Sequence, residues 1–416
     1  MTDLAAGLEL GLSRLASDLE LDISPEGRLA TPLVFLPLDR WRDAPPEFIS
    51  RAADLVARAL PITAGLLSAP PTPNLAPLIA AATLTLAAGP VPDDWHDGDA
   101  ARAIVSIADV NGASGANSGT ADTGGASGTD SRSSEYGTGG YSAGGGHGGY
   151  DANGGMYGAD GIEGAVARLR DAVGHSPRAA LACGQLLRQT SGLATTPGLA
   201  AEAAAYSLLL GGPEFARWLG ERGTPRHGRP PREPVRMSRD GGRLSIVLDD
   251  PKRRNAFSAR LREALLEAVL LAEADETISH VEISGAGPAF CSGGDLGEFG
   301  TAADLGAACL VRLARAPWRV IDRISAKVTV VAHGACVGAG TEITAFAGKV
   351  IARPDAFFAL PEVRMGLVPG AGGSVSVPRR IGRWRAAWLM LTGERLAAGT
   401  ALRWGLADEI CEWIVR

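Results

Sequence analysis

The sequence predicts an α/β fold with parallel strand pairing. From Val235 onward, short apolar runs of strand length alternate with helical patterns, the order that parallel pairing requires. Further strand and helix patterns stand upstream of a Gly-rich stretch. With 416 residues, 46% of them hydrophobic and 21% charged, the chain suffices for two units of ordinary size.

The same composition excludes several classes. A net charge of −6 argues against nucleic-acid and anionic-membrane partners, which demand a basic surface. No apolar run reaches the roughly 18 residues of a membrane span. The start, "MTDLAAGLELGLSRLASDLELD", reads as an amphipathic helix and lacks the basic opening of a signal peptide, so a cytoplasmic location is expected. Five cysteines, with no CxxC spacing, read as reduced thiols. Six scattered histidines offer no zinc cluster, and neither a metal nor a redox cofactor is expected.

In chain order, residues 1–110 form an α/β region. "TPLVFLPLD" and "RAIVSIAD" read as buried strands and "PEFISRAADLVARAL" as a helix. Residues 111–160 are about one third Gly, with Ser, Asn and Asp filling in, too little apolar area to offset the entropy of ordering. They read as a disordered insertion. Residues 161–225 are helical in pattern, from "GAVARLRDAV" to "FARWLGERG". The Pro/Arg-rich "GTPRHGRPPREP" marks a boundary before the last unit, residues 232–416. There "GRLSIVLDD", "SHVEISGAG" and "VTVVAHG" are strands. "SARLREALLEAVLLAEAD" and "AADLGAACLVRLARAPWRVIDRIS" are each expected as one helix.

Two Gly-rich turns, "GAGPAFCSGGDL" (285–296) and "HGACVGAGTEI" (333–343), each follow a strand and enter a helical pattern. Glycine there permits tight turns and close approach to main-chain N–H groups, so two such turns can surround one developing oxyanion. Glu342 lies just inside the second turn, and Glu362 follows twenty residues later in "FALPEVRMGLVPGAGGS" (358–374). Both carboxylates are embedded among apolar residues.

These stretches, together with "DDPKRRNAFS" (249–258) and "LTGERLAAGTALRWGLADEI" (391–410), resemble the enoyl-CoA hydratase/isomerase, or crotonase, family over about 235–415. The resemblance implies the crotonase (ClpP-like) fold of repeated β-β-α units and an acyl-CoA substrate. It implies a homo-oligomer, a trimer or a multiple of one. It places oxyanion donors at the N–H groups of Gly294 and Ala339, acid–base carboxyls at Glu342 and Glu362, and a water-orienting N–H at Gly370. Glu342 is expected to hold and activate water, and Glu362 to handle the proton at Cα. Family isomerases generally use one catalytic carboxylate, so the pair favours hydration of a 2-enoyl-CoA to a 3-hydroxyacyl-CoA. Isomerisation, another enolate reaction, or a non-catalytic subunit of a complex are the alternatives.

For CoA, the resemblance draws in Asn255, Ala256 and Phe257, which match a stretch lining the pantetheine channel, with Ser292 and Asp295. Lys252, Arg253 and Arg254 either meet CoA phosphates or form a solvated basic turn. Cys291 and Cys336, with no adjacent His, read as packing residues. The chain departs from the pattern at Ala339, where Gly is usual, and at Lys327, where Pro is common. The family's C-terminal helices close the acyl pocket, and residues 176–223 resemble them although they precede the core. Laying residues 61–87 over 327–353 aligns strand, turn, helix and strand in both, with Ala76 on Glu342. Residues 1–225 are therefore expected to be a decayed, inactive crotonase copy whose terminal helices cap the second copy's site.

Overall fold

The computed structural model describes residues 2–89, 91, 102–111, 161–224 and 232–412. The Gly-rich insertion expected at 111–160 lies outside them except for Asn111, as does most of the Pro/Arg-rich boundary.

The upstream region runs α1 (Thr2–Asp18), β1 (Leu33–Pro37), α2 (Pro46–Arg58), β2 (Ile62–Leu67), α3 (Ala76–Ala81), β3 (Leu84–Ala87), β4 (Ile104–Ser106) and α4 (Ile107–Asn111). Its four strands pair in sequence order, all parallel. The strands of β2 and β3 are almost wholly buried, which explains why they read as continuous apolar runs rather than alternating ones. Leu36, Ile49, Val56, Leu75 and Leu78 form a core between this sheet and α2 and α3.

Four helices follow: α5 (Gly161–His175), α6 (Pro177–Thr190), α7 (Thr195–Leu210) and α8 (Pro213–Glu221). Proline opens α6 and α8, where its fixed φ suits the first turn and its missing N–H costs nothing. Glu214 accepts from the Arg178 and Ala179 N–H groups, so α8 caps the start of α6. Helix α7 buries Leu199, Glu202, Ala203, Tyr206 and Leu209, a 3–4 spacing that aims one face at the downstream unit.

The downstream unit contains β5 (Val235–Asp240), β6 (Arg243–Leu248), α9 (Ala259–Ala274), β7 (His280–Gly285), α10 (Leu305–Ala314), α11 (Pro317–Arg323), β8 (Val328–Ala332), β9 (Ala335–Val337) and α12 (Ala339–Thr344). It continues with β10 (Lys349–Ala352), β11 (Phe357–Ala359), α13 (Gly373–Ile381), α14 (Arg383–Thr392), β12 (Leu396–Ala397), α15 (Ala398–Trp404) and β13 (Glu409–Ile410). A six-stranded sheet has the order β13-β10-β8-β7-β6-β5, parallel but for the β5–β6 hairpin, and a small sheet has the order β12-β11-β9.

One sequence expectation needs correction here, and one strand was not foreseen. The single helix expected across 302–325 is two, α10 and α11, because Ala316 precedes Pro317 and takes an extended conformation. Strand β5 carried no strand signal, since its face is mostly exposed and charged. Lys327 has a structural use: its ammonium donates to the Ala272 and Ile278 carbonyls near the end of α9, which proline has no group to do.

The two sheets share one continuous core through α6 and α14. Arg188 of α6 donates to the Val56 and Ala57 carbonyls and the Thr63 and Thr83 hydroxyls, and Arg383 of α14 to the Ala82 carbonyl. The β2–β3 and β8–β10 ladders have the same register, with the partner standing 20 positions later in each (64 to 84, 329 to 349). No helix of the described residues is long and apolar enough to cross a membrane.

Candidate active site

Two turns meet where the strands of the downstream sheet end. Cys291 and Cys336 form a parallel bridge, with the Cys291 N–H donating to the Ala335 carbonyl (3.1 Å) and the Val337 N–H to the Cys291 carbonyl (2.9 Å). Burial pushes both thiols up, Cys291 to about 12, so they pack as neutral groups. Beyond this bridge the chains turn on Gly293 (φ 97°) and Gly338 (φ 50°), a region that disfavours any side chain. A Cβ on Gly338 would also fall 2.5 Å from Glu362 Oε1.

After these turns come the N–H groups of Gly294 and Ala339, and neither donates to an acceptor among the described residues. Ala339 in place of glycine is tolerated because the positive φ falls on Gly338; Ala339 is the first residue of α12.

Glu342, one turn into α12, is 2% exposed. Its Oε2 accepts from the Ala371 N–H (2.6 Å) and the Gly373 N–H (2.8 Å), while Oε1 has no donor among the described residues. Glu362 opens a 3₁₀ turn after β11 and is 9% exposed, and its Oε2 is buried without a hydrogen-bond partner among the described residues.

A third buried carboxylate, missed in the sequence, stands beside them. Glu202 of α7 accepts from the Gly372 N–H (2.7 Å), the Ser374 N–H (2.8 Å) and the Ser374 hydroxyl (2.7 Å). Its signal was present: it is the single charged residue between Arg188 and Glu214.

Electrostatically the three carboxyls form one system. Burial pushes Glu342 well above the usual carboxylate range, and the Glu362 and Glu202 charges push the same way. Burial raises Glu362 to about 8, with Glu202 adding to the rise. Glu202 is raised by burial to about 7, against the Ser374 and Gly372 bonds and the Arg312 charge. Buried side by side, the three carboxyls disfavour one another's ionisation, and the cluster titrates as a set.

The upstream helices close over this arrangement. The Tyr206 ring lies against Gly370, where an added Cβ would come within 2.6 Å of it, and the Arg312 guanidinium sits 3.8 Å from the Tyr206 ring centroid. Phe215 and Trp218 of α8 stack at 5.8 Å, and both reach Phe299 in the loop after Gly294. Arg222 donates to the Leu296 and Phe299 carbonyls of that loop.

The matching family model is described as enoyl-CoA hydratase/isomerase and spans residues 239–413. A 1,2-epoxyphenylacetyl-CoA isomerase of Escherichia coli is 32% identical over 176 residues, 41% of this chain and 67% of its own length. The chain belongs to the enoyl-CoA hydratase/isomerase family. A trans-2-decenoyl-[acyl-carrier-protein] isomerase of Streptococcus mutans is 34% identical, and a probable enoyl-CoA hydratase of Rhodobacter capsulatus 35%; each match covers 42% of this chain and 67% of the relative. A crystal structure of an enoyl-CoA hydratase from Thermoplasma volcanium is 31% identical over 44% of this chain and 73% of its own, with a TM-score of 0.40.

The hydratase/isomerase motifs thus bring Gly294, Ala339, Glu342 and Glu362 together, with Gly370 beneath Tyr206. The residues expected at CoA divide differently. Arg253 is turned inward and ion-paired to Asp250 and Asp295, all three buried, so neither Arg253 nor Asp295 presents its charge to solvent. The buried carboxylates of Asp250 and Asp295 hold it there, in a turn where Arg254 (φ 54°) and Asn255 (φ 55°) both take left-handed backbone. Asn255 is likewise committed, donating to the Ala286, Ala289 and Phe290 carbonyls and accepting from the Asp250 N–H. Lys252 and Arg254 are the exposed cations of this turn. Ala256 is buried and Phe257 half-buried beside Trp318, while the Ser292 hydroxyl reaches the Arg253 carbonyl (3.4 Å).

Proposed function

We propose that the protein hydrates a 2-enoyl-CoA thioester to the 3-hydroxyacyl-CoA and catalyses the reverse dehydration. The observation that carries this reading is the pair of buried glutamates beside two N–H groups without acceptors among the described residues. The thioester oxygen takes both donors, Gly294 N–H and Ala339 N–H. Within the coupled cluster we place the charge on Glu342, because the Ala371 and Gly373 N–H groups on its Oε2 favour the ionised form while Glu362 Oε2 has no such donor among the described residues; Glu342, with Oε1 free, removes a proton from water as the water oxygen bonds Cβ. The double-bond electrons move to the thioester oxygen, and the enolate formed is held by the two N–H groups. Glu362, raised in pKa and so able to arrive protonated, gives its proton to Cα as the enolate collapses. The cycle leaves Glu342 protonated and Glu362 ionised, and exchange of one proton within the cluster restores the start.

Two carboxyls favour hydration over isomerisation on chemical grounds. Moving a double bond transfers one proton between two carbons of the same molecule, which one carboxyl manages. Adding water needs a base at the water and an acid at Cα together. We assign the CoA phosphates to Lys252 and Arg254, the exposed cations of the turn in which Arg253 is buried.

The test is the product formed from crotonyl-CoA, identified by mass. Hydration gives a product heavier by one water. A product of unchanged mass, with the double bond moved, would replace this reading with isomerisation.

A further inference from the structure

We propose that Glu202, supplied by a helix upstream of the family domain, is a positioning residue for the reaction of the Glu342–Glu362 pair. The inference rests on the hydratase reading for its kinetic readout only.

The geometry is an alternating grip on one strip of backbone. Four successive N–H groups are shared between two carboxylates: Ala371 and Gly373 donate to Glu342, Gly372 and Ser374 to Glu202. The strip enters α13, so its N–H groups have no acceptors within that helix. Neither carboxylate holds the strip alone. If Glu202 releases Gly372 and Ser374, the strip is free to rotate, and with it the two donors that fix Glu342 Oε2 and leave Oε1 open. The same helix face packs Tyr206 on Gly370, and α6 ties the strip from below through the Thr190 hydroxyl to the Ser374 carbonyl (2.7 Å). A parallel arrangement serves Glu362. The turn it opens ends at Gly366 (φ 78°), which lies directly against the Glu214–Phe215 backbone of α8.

Glu202 also acts by charge. The titratable and charged groups around it are Glu342 of α12, Glu362 of the 3₁₀ turn, Arg312 of α10, Tyr206 of its own helix and Cys183 of α6. Of these only Arg312 favours its ionisation, and Arg312 is stacked on Tyr206 rather than bonded to the carboxylate. An ionised Glu202 raises both Glu342 and Glu362, so removing its charge lowers both.

Glu202→Gln tests this in the full chain. The amide keeps the volume, removes the charge, and turns an NH₂ toward the Gly372 or Ser374 N–H. With crotonyl-CoA, kcat is expected to fall about tenfold or more while KM changes little. Both limbs of the pH profile of kcat/KM are expected to move to lower pH. Glu202→Asp restores the charge and one bond, so the limbs should return toward wild type while kcat recovers in part. A separate readout needs no turnover: the protonated-carboxyl infrared band, followed between pH 5 and 9. In Glu202→Gln the band is expected to lose intensity and its remaining titration to shift to lower pH. Unchanged limbs and an unshifted band in a folded Glu202→Gln protein would overturn the proposal, as would equal losses in Gln and Asp with no pH effect. Absence of turnover in wild type overturns the hydratase reading, and the infrared titration then decides on Glu202 by itself.

Discussion

The segments β2–α3–β3 and β8–α12–β10 have the same strand register and helices of six residues, yet only the second carries a buried carboxylate on its helix. The difference lies in the turn between strand and helix. In the downstream segment Gly338 turns with positive φ, the Ala339 N–H meets no acceptor among the described residues, and Glu342 follows. In the upstream segment the turn is "SAPPTPNLAP". Proline removes donors there, the Ser68 N–H is taken by Asp39, and the Asn74 amide is bound to the Arg42 and Ala44 carbonyls. Ala76 stands where Glu342 does. A parallel scaffold of this kind is neutral with respect to function. A few backbone donors and one carboxylate decide whether it becomes a site.

Substitutions at paired positions sharpen this contrast. Glu342→Gln and Glu362→Gln should each lower kcat on crotonyl-CoA by roughly 10²–10⁴-fold, while Ala76→Glu should leave it unchanged. Gly338→Ala, which places a methyl on Glu362 Oε1 in a left-handed backbone, should cost on the order of 10²-fold in kcat. Thr72→Ala, at the matching upstream position, should cost nothing measurable. Leu75→Ala, at a fully buried position of the upstream core, should destabilise by about 2–5 kcal/mol in denaturant unfolding and leave kcat of the folded enzyme intact. A large loss of kcat in that variant would break the contrast. The smallest measurable effect belongs to Lys252→Ala with Arg254→Ala: about a threefold rise in KM at low salt, shrinking as ionic strength increases.

The pH dependence of stability separates the two regions further. Glu202 and Glu362 are raised to about 7 and about 8 in the folded protein. Their contribution is therefore fully present below the unfolded carboxylate range near 4.5 and is lost as pH rises through 7 and 8. The melting temperature should fall across that window, and Glu202→Gln should flatten the fall.

Much of this was legible in the sequence because it is local. Gly-rich turns, the strands before them and the two glutamates sit at short, readable spacings, and the parallel order follows from strand–helix alternation. Glu202 stood out only as a lone charge in an apolar helix; its role was not legible, since its partners Gly372 and Ser374 lie 170 and 172 residues away. Arg253 misled for the same reason. A basic run suggests solvent, but Asp295, 42 residues on, draws it inside. Strands β9, β11 and β12, of two or three residues, are too short to show a period. The break before Pro317 was written in the sequence and follows from the pre-proline restriction.

The division of labour between Glu342 and Glu362 is tested most directly by deuterium exchange at Cα of butyryl-CoA in D₂O. This saturated thioester has no double bond to hydrate, so exchange needs only the oxyanion donors and the carboxyl that serves Cα. Exchange is expected in wild type and in Glu342→Gln, and its loss in Glu362→Gln. Exchange that survives in Glu362→Gln and disappears in Glu342→Gln would contradict the assignment.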